Sequence, residues 1–250
     1  MPRMKKHQLS PKDRIIFALD FLSLKESKPY IKRLKNRVGL FKVGLTLLLS
    51  EGIKVIDKIH DLTGGQKVFL DLKFTKTDIP QQMLGVLSVM ASGSRGIKFI
   101  TVHTHQDEKN IREVVDKFKN GTKVLGVTVL TSVSSEESKN LLGTDVLNSV
   151  IALSNAAKKA GCHGVVCSGY EAKTVRKMFG PDFIIVTPGI RPAWHRVAND
   201  DQRRATTPKE AIINGADYLV VGRPIALDKD PAGAADKIAD EIAQALEQSE

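Results

Sequence analysis

Asp71, Lys73, Lys76 and Asp78 fall within eight positions of one stretch, 69-FLDLKFTKTDIP-80. Two carboxylates and two ammonium groups this close either form a salt-bridge lattice or hold charge against a substrate and pass it a proton. Alternate residues of a strand share a face, so Asp71 and Lys73 are expected to point the same way from the end of FLDL. A carboxylate buried alone rises in pKa and a lysine buried alone falls. Interleaved, they keep one another ionised. Asp20 (in FALDF) and Lys42 (in FKVG) extend the same pattern. Any one such pair is ordinary at a strand end. All five groups together, Asp20, Lys42, Asp71, Lys73 and Asp78, favour chemistry in which carbanion charge is stabilised and a lysine delivers the proton.

Carboxylates at strand ends also hold Mg²⁺, but here two lysines take the place of the cation and would repel one. His103 and His105 share a strand face. With no third ligand near them in sequence, they read as satisfied or exposed histidines rather than a zinc site.

Something must bring these groups together. Eight short apolar runs recur along the chain: 14-RIIFALDF, 40-LFKVGLT, 67-KVFLDLKF, 97-IKFITVHT, 123-KVLGVTVL, 164-GVVCSG, 183-FIIVTPGI and 218-YLVVGRPI. Segments with helical spacing of apolar residues lie between them, among them 47-LLLSEGIKVIDKIHD, 106-QDEKNIREVVDKFKN and 145-DVLNSVIALSNAAKKAG, and the chain closes on 232-AGAADKIADEIAQALEQ. Apolar strands alternating with helices imply a parallel sheet covered on both faces. Eight units in 250 residues imply an α/β fold of the (β/α)8 TIM-barrel type, in one domain over 14–250 behind a flexible tail at 1–13. The alternative is a doubly wound open sheet, but no GxGxxG follows the first strand.

A barrel of this kind works at the C-terminal ends of its strands. Asp20, Lys42, Asp71, Lys73, His103, His105, Thr131 and Ser132 all fall at such ends, as do TPGIR (187–191) and VGRPI (221–225). The loops after strands seven and eight commonly bind phosphate. Glycine admits backbone N–H groups to the anion and Arg223 can grip it bidentately. Arg191 opens a polar stretch, 192-PAWHRVANDDQRRATTP-208, that could close over a ligand, with Gln202 placed to hydrogen-bond a phosphate or a base. Arg203 and Arg204 read as a solvated basic pair entering the next helix.

The net charge of +10 is spread along helix faces rather than gathered in an arm, and aromatic residues are only 5%, which leaves few platforms for stacking bases. Nucleic acid is therefore not expected as a partner. Nor is a membrane, since no run of 18 apolar residues occurs, and the basic N-terminus has no apolar segment behind it that would make a secretory signal. Cys162 and Cys167 form neither a disulfide framework nor metal-ligand spacing. Buried reduced thiols and a cytoplasmic setting are expected.

FALDF, FKVGL, VFLDLKF followed by DIP, GVTVLTS, VTPGIRP, DQRRATTP and ADYLVVGRPI, in this order, resemble the bacterial-type orotidine 5'-phosphate decarboxylases over nearly the whole chain. The resemblance implies a cofactor-free (β/α)8 homodimer with shared active sites that makes uridine 5'-monophosphate from orotidine 5'-monophosphate. It implies Lys73 as proton donor to C6, Asp71 beside the departing carboxylate, and Lys42 and Asp20 on the ribose hydroxyls. Asp78 would cross to the neighbouring site. Thr131 would lie by the pyrimidine, with Arg191, Gln202, Gly222 and Arg223 for the phosphate and its loop.

Three departures stand out. The family's usual DLKFHDIPNT becomes DLKFTKTDIPQQ, with two residues added before Asp78 and Lys76 among them. Gln81 and Gln82 replace the Asn-Thr after DIP, and HASGG becomes 103-HTHQDEK. Two other readings compete. One is an Mg²⁺-dependent sugar-phosphate enzyme of the same suprafamily, a keto-gulonate phosphate decarboxylase or hexulose phosphate synthase, against which Lys42 and QRR argue. The other is a non-catalytic anion- or nucleic-acid-binding barrel, which would not need the charged array.

Overall fold

A computed structural model describes residues 9–75, 85, 88, 96–118, 121–195, 200 and 202–248. Eight parallel strands close on themselves in chain order: β1 (Ile15–Ala18), β2 (Leu40–Gly44), β3 (Val68–Phe74), β4 (Ile97–His103), β5 (Lys123–Val127), β6 (Gly164–Val166), β7 (Ile184–Thr187) and β8 (Tyr218–Val221). Each falls inside one of the eight apolar runs. The last strand pairs with the first, Ile15 opposite Leu219 and Phe17 opposite Val221.

Period-two alternation sorts the strand residues into two cores. Ile16, Leu40, Phe69, Phe99, Leu125 and Val186 point inward with Tyr218 and fill the barrel. Phe69 meets Phe99 edge-on at 6.0 Å and Phe99 meets Tyr218 at 5.1 Å. Such a filled barrel is a packed solid and not a pore. Their neighbours Ile15, Phe17, Phe41, Val43, Leu70 and Ile100 point outward under the helices.

Those helices are α1 (Leu24–Leu34), α2 (Leu45–Glu51), α3 (Val55–Thr63), α4 (Glu108–Lys117), α5 (Ser135–Leu142), α6 (Val146–Lys159), α7 (Gly169–Phe179), α8 (Pro208–Ile213), the single turn α9 (Arg223–Ala226) and α10 (Pro231–Glu247). The apolar pattern of 47–61 reads as one helix, but Gly52, at φ 72°, ends α2 and a second helix starts at Val55. Left-handed backbone costs glycine little, so the break is placed there. Among the described residues no helix is long and apolar enough to cross a membrane.

Of the stretch 1–13 expected as a tail, residues 9–13 are described. Leu9 packs against the interior core, and Lys12–Arg14 form a 3-10 turn whose Asp13 accepts a 2.6 Å hydrogen bond from Ser10 Oγ. The apolar interior needs a lid at its N-terminal end, and this segment supplies one.

Candidate active site

Strand register sets the charged array. Ala18 pairs with Lys42, and Gly44 with Asp71, so inward positions two residues apart step up the barrel towards its C-terminal mouth. There Lys42 Nζ lies 2.8 Å from Asp20 Oδ1 and 3.8 Å from Asp71 Oδ2. Lys73 Nζ donates to the same Asp71 oxygen at 2.8 Å. The four groups thus alternate in sign, Asp20–Lys42–Asp71–Lys73. The side chains of Lys42 and Asp71 are only 11% and 13% exposed, against 36% for Lys73, so the outer lysine is the one that faces an incoming ligand.

Burial by itself pushes the Asp71 carboxyl up. Lys42, Lys73 and hydrogen bonds from Lys73 and Thr101 outweigh it and hold Asp71 below the ordinary carboxylate range. Thr101, inward on β4, joins the array from the side. Its hydroxyl donates to Asp71 Oδ1 at 3.0 Å and accepts from the Lys73 backbone N–H at 2.8 Å. Sequence reading passed over Thr101. The signal was there in the alternation Phe99, Thr101, His103.

Lys73 has φ 50°, the one non-glycine residue with positive φ among the described residues. The register between β3 and β4 also slips between Leu70 and Phe74. A bulge at the end of a strand re-aims a side chain, and here it turns Lys73 across the mouth onto Asp71. Left-handed backbone costs a non-glycine residue on the order of 1 kcal/mol or more, and persists where surrounding contacts over-determine it. Gln106 is one such contact, its side-chain amide donating to His103 O at 2.7 Å and Phe74 O at 3.3 Å.

His103 lies beside this array, its ring 4.5 Å from that of His105. Its Nδ1 is buried, with no hydrogen-bond partner among the described residues. Burial, then His105 and Lys73, lower its pKa from 6.5 to about 4. His105 is exposed. No group of three His, Cys, Asp or Glu among the described residues is arranged to hold a metal ion.

His103 and Asp71 each link stability to acid pH. Between pH 6.5 and about 4 the unfolded chain takes up a proton that native His103 refuses, so stability falls as pH drops through that window. The stability contributed by Asp71 is full above its ordinary value of 3.8 and is lost only as pH falls further, through its lower folded value. Urea titrations of wild type and His103→Asn across pH 7 to 4 should show a shallower decline in the variant. Parallel curves would remove His103 from the account.

A cavity of about 210 Å³ opens in front of Lys42, Asp71 and Lys73, walled by Phe69, Val127, Val129, Thr131, Val166 and Gln202. Its floor is apolar and its rim is charged. Thr131 Oγ1 donates to Gln202 Oε1 at 2.5 Å across the mouth. Gly189, at φ 73°, passes under Gln202, where a Cβ would sit 2.9 Å from Oε1. Gln202 also lines a neighbouring hollow of about 150 Å³ together with Asp20, Lys42, Gly189, Arg191, Gly222 and Arg223. The expected phosphate residues are thus gathered at one place, next to the array. Asp200 accepts from both arginines there: its carboxylate takes Arg191 Nε at 2.6 Å and Nη2 at 2.7 Å, and Arg223 Nη2 at 3.0 Å. The loop carrying Arg191 is tied down at Trp194, whose Nε1 donates to Glu241 of α10 at 2.7 Å beneath the Lys237 ammonium.

Arg204 corrects an expectation. It is not solvated: only Arg203 of the pair is exposed. Arg204 Nη1 donates to Glu171 Oε1 at 2.7 Å, and Nη2 to the carbonyls of Val129 at 3.0 Å and Leu130 at 2.8 Å. It thereby clasps the segment carrying Gln202 to the one carrying Thr131. Glu171 is the third residue of a capping box on α7, accepting from Ser168 N–H. Cys162 and Cys167 are buried and free, and burial pushes the Cys162 thiol up to about 12. Lys76, Asp78, Gln81 and Gln82 lie outside the described residues.

A closed eight-stranded barrel with an Asp–Lys array and an arginine-lined hollow at its C-terminal mouth defines a (β/α)8-barrel enzyme. Residues 13–238 match the orotidine 5'-phosphate decarboxylase / HUMPS family, and the chain belongs to it. An orotidine 5'-phosphate decarboxylase of Desulfosudis oleivorans is 43% identical over 95% of this chain and 96% of its own length. That of Geobacter sulfurreducens is 42% identical over 92% and 96%. A crystal structure of orotidine 5'-phosphate decarboxylase from Lactobacillus acidophilus, 35% identical, covers 91% of this chain and 98% of that one with a TM-score of 0.75.

Proposed function

We propose that the chain converts orotidine 5'-monophosphate to uridine 5'-monophosphate and CO₂ in pyrimidine biosynthesis, with no metal or organic cofactor. The observation that carries the reading is the Lys42–Asp71–Lys73 alternation facing an apolar cavity beside the two arginines. The family also includes sugar-phosphate enzymes. The full-length relatives named as decarboxylases favour the nucleotide substrate.

In this reading the C6–carboxylate bond of the pyrimidine breaks and its electron pair stays on C6. Delocalisation into the ring cannot absorb charge held in that plane, so a fixed cation must stand where it develops. Lys73 stands there, then gives C6 a proton and recovers one from solvent. Asp71, held anionic by its neighbours, borders the departing carboxylate and anchors Lys73. Asp20 and Lys42 take the ribose hydroxyls. With its carbonyl oxygen occupied by Thr131, Gln202 offers its NH₂ to the pyrimidine or the phosphate, and Arg191, Arg223 and the backbone at Gly222 hold the phosphate. Phosphate binding remote from the reacting carbon supplies energy for assembling the site. Asp78 would complete it from a second copy in a homodimer with shared sites, and buried thiols suit a reducing cytoplasm.

The test is the ultraviolet absorbance of orotidine 5'-monophosphate mixed with purified protein in EDTA. Loss of substrate at a rate indifferent to EDTA is expected. Turnover restored only by Mg²⁺ would overturn the metal-free mechanism, and no turnover by folded protein would end the assignment.

A further inference from the structure

Two guanidinium groups meet one carboxylate in the hollow assigned to phosphate. Arg191 grips Asp200 with both prongs of its fork, and Arg223 adds a third bond to Oδ1, which also accepts from Gln202 N–H at 3.1 Å. Bidentate geometry of this kind is the one arginine offers a phosphate. The carboxylate therefore stands where phosphoryl oxygens would.

We propose that Asp200 is an internal stand-in for the substrate phosphate: it holds Arg191 and Arg223 in position while the site is empty and is displaced when a phosphorylated ligand binds. This rests on the reading of those arginines as the phosphate site. The carboxylate offsets the mutual repulsion of the two cations, and its shape, through the hydrogen bonds it accepts, sets the spacing a phosphate needs. With Asp200 present, the fork is formed in advance, and entry of ligand is an exchange of one anion for another. The Arg191 hydrogen bond keeps the Asp200 carboxyl below its ordinary range, so the stand-in stays charged at neutral pH. Asp200 has one negative charge and two oxygens. A phosphate monoester has close to two charges and three oxygens, which is what lets it win the exchange. A nucleoside, having no anion to offer, leaves Asp200 where it is. The device thus screens ligands for a phosphate, at some cost in affinity for those that carry one.

The experiment is calorimetric titration of wild type, Asp200→Asn and Arg223→Ala with inorganic phosphate, uridine 5'-monophosphate and uridine. Asp200→Asn keeps the shape and the oxygen facing Gln202 N–H while removing the charge. It should bind phosphate and the nucleotide roughly tenfold more tightly than wild type, the scale of one charged coupling, and bind uridine equally. The gain should survive 1 M potassium chloride, where charges beyond about 3 Å are screened. Equal or weaker phosphate binding by Asp200→Asn, or a gain abolished by salt, overturns the exchange. If Arg223→Ala still loses phosphate affinity in that case, the site reading stands without it. Unchanged phosphate binding by Arg223→Ala removes the site reading and the stand-in together.

Discussion

Lys73→Ala is expected to lower kcat by at least about 10⁴-fold, because one side chain is asked for two separate things. Proton delivery by a placed acid is worth about 10² to 10⁴-fold, and a fixed charge aimed at a developing anion about 10² to 10³-fold. Affinity for uridine 5'-monophosphate should move far less, since the arginine-lined hollow proposed for the phosphate lies beyond Lys42 and does not include Lys73. Single-turnover absorbance measurements and calorimetry separate the two effects. A drop confined to binding would show that Lys73 positions substrate and does no chemistry. Lys73→Gly is informative beside it. Both variants lose the amine, but only glycine relaxes the φ of 50°. Lys73→Gly should therefore be the more stable of the two by about 1 kcal/mol, the sign of a backbone bent for function.

The second large effect is on stability. Arg204→Met is expected to destabilise the fold by about 3 kcal/mol, because it strands the buried Glu171 carboxylate and the carbonyls of Val129 and Leu130. For a chain of this size that is a loss of about 6–12 °C in Tm. Burial already pushes the Glu171 carboxyl up despite Arg204, so the stranded acid will take a proton instead of staying ionised. Arg204→Met with Glu171→Gln should regain part of the loss. The KM of the single variant should also rise, since Arg204 joins the segments bearing Thr131 and Gln202. A Tm within about 2 °C of wild type, less than the shift expected of 1 kcal/mol, would show the clasp to be ornamental.

Much of this was readable in the residues. Strands announced themselves because parallel strands buried on both faces must be apolar throughout, and period two then placed Asp20, Lys42, Asp71 and Lys73 on the inward face. TPGIR and VGRPI were found through their position after strands seven and eight. What escaped was long-range or conformational. Arg204 looked solvated because sequence spacing does not reveal that Glu171, on another βα unit, waits beside it. Asp200 was one acid in a polar loop until the fold brought Arg191 and Arg223 around it. The bulge at Lys73 left no mark, since the strand pattern runs straight through it. Gly52, by contrast, was visible and was overrun by the apolar periodicity on either side.

The pairing of β1 with β8 has a consequence for how the molecule is made. Ile15 leaves the ribosome long before its neighbour Leu219, which lies seven strands further along the chain. Until then one flank of β1 has no hydrogen-bonding partner, and an unpaired strand flank invites wrong association. The loop carrying Arg191 waits longer still, because Trp194 is moored to Glu241 in α10. A nascent chain can hold most of its hydrophobic packing and still have no fixed seat for its nucleotide. Every strand of the barrel must be made before the protein can begin to work.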